Sequence, residues 1–416
     1  MSNSEKNILL VGKGANAEAL AKKLFEQNPE YKIYIAPGNN KESNIYTNID
    51  IREEDSTGLL KFAIENKIDL TIPTSEKAIN SDIVTFFLAN GQNIFGPTKD
   101  AALLSLEKSI GKKILYKIHA QTSKFGIFDK QQQAEDYLKT ANFPITIKCG
   151  HTEDLENRLV CNTISLAREF LTNLTAKNSE NILIEEFVYG KTFTVYYITD
   201  GYTALPITSV ADFKFMEDGD GGILTNGIGC YAPDFKISQI IYDRLNNIIK
   251  NTLSVLDKNG NPYIGIIGIE CTLTGEDKFY VNEFKPFFQN HDATTILNLL
   301  DENLIQVFFA CINGFFSDEY ETLKTNSYTS AAITVMAKQH NKKITGLDSI
   351  EDLDNVDFIQ VNQTNNGQYL TTKGEIFTLT RKANTLSRAI NNLYEDLEEI
   401  QFEGIKYRKD LGKYVY

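Results

Sequence analysis

The run Ile8-Leu9-Leu10-Val11-Gly12-Lys13-Gly14-Ala15-Asn16-Ala17 decides the fold class. Four apolar residues read as a buried strand, two glycines as a tight turn, and the sequence to Lys23 as a helix. Glycines at such a turn let backbone approach an anion at a helix N-terminus. One reading is a dinucleotide site, but that needs a carboxylate at the end of the second strand. Here that strand, Ile33–Ala36, runs into Pro37-Gly38-Asn39. The other reading is a tight turn that packs helix on strand. Outward from this unit, Gly58–Glu65 and Asp82–Asn90 read as helices, and Leu70–Ile72 as a strand. Strands alternating with helices predict a doubly wound parallel sheet.

Beyond Lys99 the pattern changes. Ala101 to Ile118 reads as helical, and a smaller α/β unit spans about Gln121 to Glu185. Strands then dominate: Phe193–Ile198, Thr203–Thr208, Tyr263–Thr272 and Phe279–Phe284. The tail is β-rich (Ala331–Ala337, Phe358–Val361, Glu375–Thr380), then helical over Leu386–Ile400. A chain of 416 residues suits two to four domains. Its net charge of −13, without a strong basic cluster, argues against nucleic acid as a partner. Lys22-Lys23 and Lys112-Lys113 read as solvated helix faces. The longest apolar stretch, Leu304 to Phe316, is too short to span a bilayer, and no secretory signal is legible. Five scattered cysteines and four isolated histidines predict reduced thiols in a cytoplasm, without a structural zinc site.

Glu270 and Glu283 form the sharpest chemical constellation. They lie on two predicted strands joined by a turn around Thr274-Gly275-Glu276-Asp277. An even loop would put both carboxylates on one sheet face as cross-strand neighbours. Two such carboxylates on a buried face repel one another, so a divalent cation is their natural partner. The competing reading is a solvated hairpin. Lys148 ends an apolar strand and can meet phosphate as a point charge, although lysines often end strands. Ile184-Glu185-Glu186-Phe187 reads either as an edge for adenine or as a strand capped by solvated acids.

In order, these segments resemble one family. They are Gly12-x-Gly14, Ala36-Pro37-Gly38-Asn39, Ile94-Phe95-Gly96-Pro97-Thr98, Lys108, Ile147-Lys148, Ile184-Glu185-Glu186-Phe187, Asp212, Lys214, Gly227 and Glu283-Phe284. A C-terminal Phe402-Glu403-Gly404-x-x-Tyr407-Arg408-x-Asp410 completes the set. The chain is similar to glycinamide ribonucleotide synthetase (phosphoribosylamine–glycine ligase) from end to end. The resemblance implies an ATP-grasp fold in four parts. They are a Rossmann-like N-domain (1–100), a central ATP-grasp domain (101–120 and 186–325), a small mobile B-domain or lid (121–185), and a β-rich C-terminal domain (326–416). It implies ATP with Mg²⁺, or Mn²⁺ in its place, and glycine and phosphoribosylamine as substrates, joined through an acyl phosphate. By position, Lys108 and Lys148 would contact ATP phosphates. Glu185, Glu186, Phe187 and Val188 would hold adenine and ribose. Glu270 and Glu283 would hold metal. Asp212 and Lys214 would be catalytic, and Gly12, Gly14, Asp212, Lys214, Gly227 and Lys285 would meet substrate. A cytoplasmic monomer or weak homodimer is expected.

The chain departs from the family pattern at several of these points. The glycine-rich flap becomes Cys149-Gly150-His151-Thr152-Glu153-Asp154-Leu155-Glu156-Asn157, which places three acids where triphosphate would lie. Asp-His-Lys-Arg becomes Asp212-Phe213-Lys214-Phe215. Glu-Phe-Asn-x-Arg-Phe becomes Glu283-Phe284-Lys285-Pro286-Phe287-Phe288. Phenylalanine offers neither donor nor charge, so the sugar-phosphate pocket is expected to be lost or turned toward a more apolar partner. Lys285 would supply positive charge in place of a second metal, or prevent metal binding. Two alternatives follow: a nucleotide-binding or regulatory paralogue without catalysis, and a ligase for a non-phosphorylated amine.

Overall fold

The computed structural model describes residues 5–39, 43–149, 157–176, 181–350, 355–364 and 366–414. Its first sheet is parallel, in the order β3-β2-β1-β4, from β1 (Asn7–Gly12), β2 (Lys32–Pro37), β3 (Tyr46–Asn48) and β4 (Leu70–Pro73). Ile8 to Val11 are fully buried, as a strand covered on both faces requires. Helices α1 (Ala15–Gln27), α2 (Ser56–Glu65), α3 (Glu76–Asn80) and α4 (Ile83–Ala89) accompany it. Asp55 and Ser75 cap α2 and α3 through their side-chain oxygens. Gly12 is a packing glycine, because a Cβ there would meet the Thr74 hydroxyl at 2.1 Å.

The single helix expected over 101–118 is two helices, α5 (Lys99–Leu106) and α6 (Lys108–Lys117). Glu107 between them is extended (φ −109°, ψ 105°), so Lys108 begins a new helix in a new direction. A smaller antiparallel sheet follows, in the order β5-β8-β6-β7. Its strands are β5 (Phe125–Phe128), β6 (Ile145–Lys148), β7 (Arg158–Cys161) and β8 (Ile182–Glu186). Helices α7 (Gln131–Leu138) and α8 (Ile164–Ala176) pack against one another beside it.

The largest sheet holds β9 (Lys191–Asp200), β10 (Ala204–Glu217), β11 (Gly221–Ala232), β12 (Ile264–Gly275) and β13 (Lys278–Lys285). It continues through β14 (Thr329–Ala337), past the short ribbon β16 (Val361–Gln363) and β17 (Tyr369–Thr371), to β18 (Gly374–Ala383) and β15 (Val356–Phe358). The order is β13-β12-β9-β10-β11-β14-β18-β15, with β19 (Ile405–Lys406) paired to β14. The boundary expected at 325/326 therefore lies within the span of one continuous sheet. Helices α9 (Gln239–Lys258), α10 (Asn290–Leu297), α11 (Leu304–Asn313), α12 (Phe316–Glu319) and α13 (Leu386–Glu399) cover it. Among the described residues, no helix is long and apolar enough to cross a membrane.

Two local features aim the site. In the β12–β13 hairpin, Gly275 pairs with Lys278 around a two-residue turn, and Glu270 pairs with Glu283 in the same register. Two irregularities between these points cancel: Thr274 is extra on β12 and Asn282 is extra on β13. The bulge at Asn282 lets Phe279, Val281 and Phe284 all enter one core, while Glu283 turns to the opposite face. The second feature is Arg408, which is fully buried. It grips Asp410 through two 2.8 Å hydrogen bonds, and also donates to the Phe215 carbonyl and to Asp220. The C-terminal Tyr-Arg-x-Asp segment thus fixes the β10–β11 hairpin.

Candidate functional site

A narrow cleft of about 120 Å³ separates the smaller sheet from the largest one. Lys148, Arg158, Glu185, Lys214, Glu270 and Glu283 line it. Lys148 bridges Glu185 at 2.7 Å and Glu283 at 3.2 Å. Lys108 reaches Glu283 at 3.3 Å from the start of α6, and Lys112 reaches Glu185 at 2.8 Å. Lys112 also donates to Thr122 and Ser123. Burial opposes the Glu185 charge, but Lys112 and Lys148 outweigh it and hold its pKa at about 2. Glu283 is likewise held well below the usual carboxylate range by Lys108 and Lys148 against its burial. Burial lowers the Lys108 and Lys112 pKa values. Burial also opposes the Lys148 charge, but Glu185 and Glu283 prevail and raise it.

Behind the cleft lies a second charged group. Asp212 on β10 accepts from Lys285 at 3.1 Å and contacts the His291 Nε2 at 2.9 Å. Lys285 also lies 3.5 Å from both Glu270 and Asp292, and Lys214 lies 2.8 Å from Glu270. Tyr196 donates to Asp292. Burial works against the His291 charge, yet Asp292 and Asp212 raise its pKa to about 9. Lys214 and Lys285 do the same service for Asp212, whose pKa falls well below normal despite burial. Among the described residues, Asp212, His291 and Asp292 place three metal-ligand atoms within 4.8 Å of one another. The Lys285 ammonium stands 3.1 Å from Asp212 and 3.5 Å from Asp292, so a cation already sits against this trio.

On the far side of His291 opens a cavity of about 320 Å³. Gly14, Asn16, Thr74, Gly227, Phe287 and Asn290 line it, with Lys13, Lys77 and Lys373 around it. Gly227 sits at φ +135°, and a Cβ there would be 1.9 Å from the imidazole. Asn16 ties the wall together by donating to the Thr74 and Phe288 carbonyls.

The structure brings Lys108, Lys148, Glu185, Glu270 and Glu283 together, and places Gly14 and Gly227 on the second cavity. Asp212 and Lys285 lie between the two spaces. Gly12 packs on Thr74. Glu186, Phe187 and Val188 line the cleft, but the Phe187 N–H already donates to the Pro144 carbonyl. Four expectations need correction. Glu270 and Glu283 face each other, but ammonium groups neutralise both, so mutual repulsion is not their condition. Lys112 and Lys22 are not solvated: Lys112 is buried on Glu185, and Lys22 pairs with Glu18 and Asp357. The second cavity is not apolar, because lysines from α3 and from the turn before β18 stand beside Phe287. Phe213 leaves the site altogether and packs on Tyr231 and Arg408. The acidic flap Gly150–Glu156 lies outside the described residues. Sequence reasoning missed Lys112, Arg158, His291 and Asp292, and none of these carried a local signal.

A large sheet and a smaller one, closing a lysine–glutamate cleft, define the ATP-grasp class. Residues 6–105, 106–293 and 336–414 match the N, ATP-grasp (A) and C domains of phosphoribosylglycinamide synthetase. The chain belongs to the phosphoribosylglycinamide synthetase family. Curated relatives include the phosphoribosylamine–glycine ligases of Clostridium acetobutylicum and of Caldanaerobacter subterraneus subsp. tengcongensis. The first is 28% identical, covering 98% of this chain and 99% of the relative. The second is 29% identical, covering 97% and 99%. In fold, the chain is similar to the Thermotoga maritima phosphoribosylamine–glycine ligase (TM-score 0.82, 20% identity, 97% and 99% coverage). It is also similar to a Campylobacter jejuni biotin carboxylase solved as a complex with β-γ-ATP (TM-score 0.72, 15% identity, 97% and 93% coverage).

Proposed function

We propose that this chain is an ATP-dependent phosphoribosylamine–glycine ligase. One observation carries the reading: Lys108, Lys112 and Lys148 converge on Glu185 and Glu283 at a cleft between two sheets, where Glu283 faces Glu270. Three lysines contact two glutamates there, and the surplus charge suits a polyphosphate. Binding would exchange partners. Phosphate oxygens take Lys108 and Lys148, which would free Glu283 for Mg²⁺ or Mn²⁺; Glu270 on the adjoining strand, now held by Lys214, would complete the pair. Two carboxylates plus nucleotide phosphates are a donor set that fits such an ion. The bound ion would neutralise phosphate charge.

The glycine carboxylate oxygen attacks the γ-phosphorus, the bond to the β-bridging oxygen breaks, and ADP leaves. The amine nitrogen then attacks the acyl carbon, the carbon–oxygen bond to phosphate breaks, and the amine gives up a proton. Lys148 and Lys108 hold the transferring phosphoryl group. Lys214 presents its ammonium at the cleft wall. Asp212 holds Lys285 and His291 in place behind it, and the cavity at Gly14 and Gly227 takes phosphoribosylamine. Glu185, Glu186 and the Phe187–Val188 backbone, with its Val188 N–H, take the nucleoside. The chain acts in the cytoplasm as a monomer or weak homodimer.

The test is ADP release with glycine and phosphoribosylamine, omitting each in turn. Release that needs both supports the assignment. Tight Mg-ATP binding in a thermal shift, without turnover, replaces it with a nucleotide-binding paralogue. Turnover with an amine that lacks phosphate replaces the substrate.

A further inference from the structure

Arg158 begins β7, and its register partner across the antiparallel pair is Lys148. Directly opposed residues share a face, so two cations stand side by side over the cleft. Their surroundings differ. Lys148 meets two glutamates, whereas Arg158 pairs with no carboxylate among the described residues. The Arg158 Nη2 donates to the Thr225 carbonyl at 2.6 Å and to the Asn226 side-chain oxygen at 3.0 Å. Both acceptors are uncharged. The Nε is buried and has no acceptor at all. A guanidinium with an unmet donor, no counter-charge and a place on the cleft wall lacks an anion.

We propose that Arg158 is a phosphate ligand of the nucleotide in this cleft, reaching it from its contacts with the Thr225 carbonyl and the Asn226 side-chain oxygen. The proposal rests on the reading of this cleft as the ATP site. It also links the two cavities, because Asn226 and Gly227 line the larger one. When Arg158 moves onto a phosphate, it releases the Asn226 amide at the wall where the second substrate sits.

Calorimetric titration of the full chain with Mg-ATP, and separately with adenosine, tests this. Arg158→Met weakens ATP binding about tenfold or more, the worth of a charge-assisted contact, and leaves adenosine within about twofold. Arg158→Lys falls between, keeping the charge but losing the fork. Asn226→Ala binds ATP at least as tightly as the unaltered chain, because it removes only the resting partner. Three results overturn the proposal: ATP affinity unchanged in Arg158→Met, equal losses for ATP and adenosine, or a loss in Asn226→Ala that matches Arg158→Met. If Arg158→Met does not fold, the lysine and alanine variants decide. An unaltered chain that binds no ATP overturns the ligase reading, and this proposal with it.

Discussion

Two charge clusters lie back to back in this protein, and they differ in balance. Facing the cleft, Lys108, Lys112 and Lys148 form ion pairs with Glu185 and Glu283, and Arg158 adds a further cation nearby. Behind it, Asp212, Glu270 and Asp292 meet Lys214, Lys285 and a protonated His291. The first set has positive charge to spare and waits for an anion. The second is neutral within itself and already complete. Lys285, where the family pattern has asparagine, is what completes it. A departure that reads in the sequence as damage is, in the fold, an internal counter-ion.

The contrast predicts that the inner cluster serves stability and the outer one serves binding. Lys285→Met should give the largest effect. It leaves three buried carboxylates sharing two cations, Lys214 and His291, and unfolding in urea should show a loss of about 3–5 kcal/mol. If stability changes little, the inner cluster is not a closed unit. The next effect is alkaline. His291 has a folded pKa of about 9 against an ordinary 6.5, so its contribution is fully present below 6.5 and fades as pH rises through 9. At about 1.4 kcal/mol per unit, the loss is on the order of 3 kcal/mol. His291→Gln should remove that slope from the stability–pH curve. On the acid side the sign reverses. The Glu185 contribution, with a folded pKa of about 2, is present above 4.5 and lost as pH falls toward 2.

Lys148→Met should behave oppositely to Lys285→Met. It leaves Lys112 on Glu185 and Lys108 on Glu283, two matched pairs. Stability should therefore shift by no more than about 1 kcal/mol, while Mg-ATP affinity falls by about 2 kcal/mol, close to thirtyfold. Calorimetry and urea unfolding on the same variant separate the two. A stability loss as large as that of Lys285→Met would erase the distinction between the clusters.

The fold was legible where the code is local. The buried run Ile8–Val11, the strand–helix alternation and the Glu270–Glu283 register all follow from short-range pattern. The site was legible only where a residue's role follows from its own strand. Lys148 ends a strand at the cleft, but Lys112 finds Glu185 from another element, 73 residues away in sequence. His291 meets Asp212 across 79 residues. Whether such a lysine is solvated or buried depends on a tertiary partner that no helical period reveals. The break at Glu107 escaped for a related reason: nothing in an apolar-periodic stretch marks one residue that tertiary packing pulls out of the helix.

The smallest effect concerns the second cavity, where Lys13, Lys77 and Lys373 are exposed. Solvent screens such charges, so each contributes little even to a phosphate. Titration with ribose 5-phosphate, a stable stand-in for phosphoribosylamine, should show Lys13→Ala and Lys373→Ala each weakening binding about two- to fivefold at low salt. In roughly 0.5 M salt the difference should shrink to nothing. Replacing both together should give the product of the single effects, as independent screened charges do. A hundredfold loss from one lysine, insensitive to salt, would mean that the ligand buries that charge out of water. The second cavity would then belong with the cleft as a desolvated anion site, and the charge excess over the cleft would no longer set it apart.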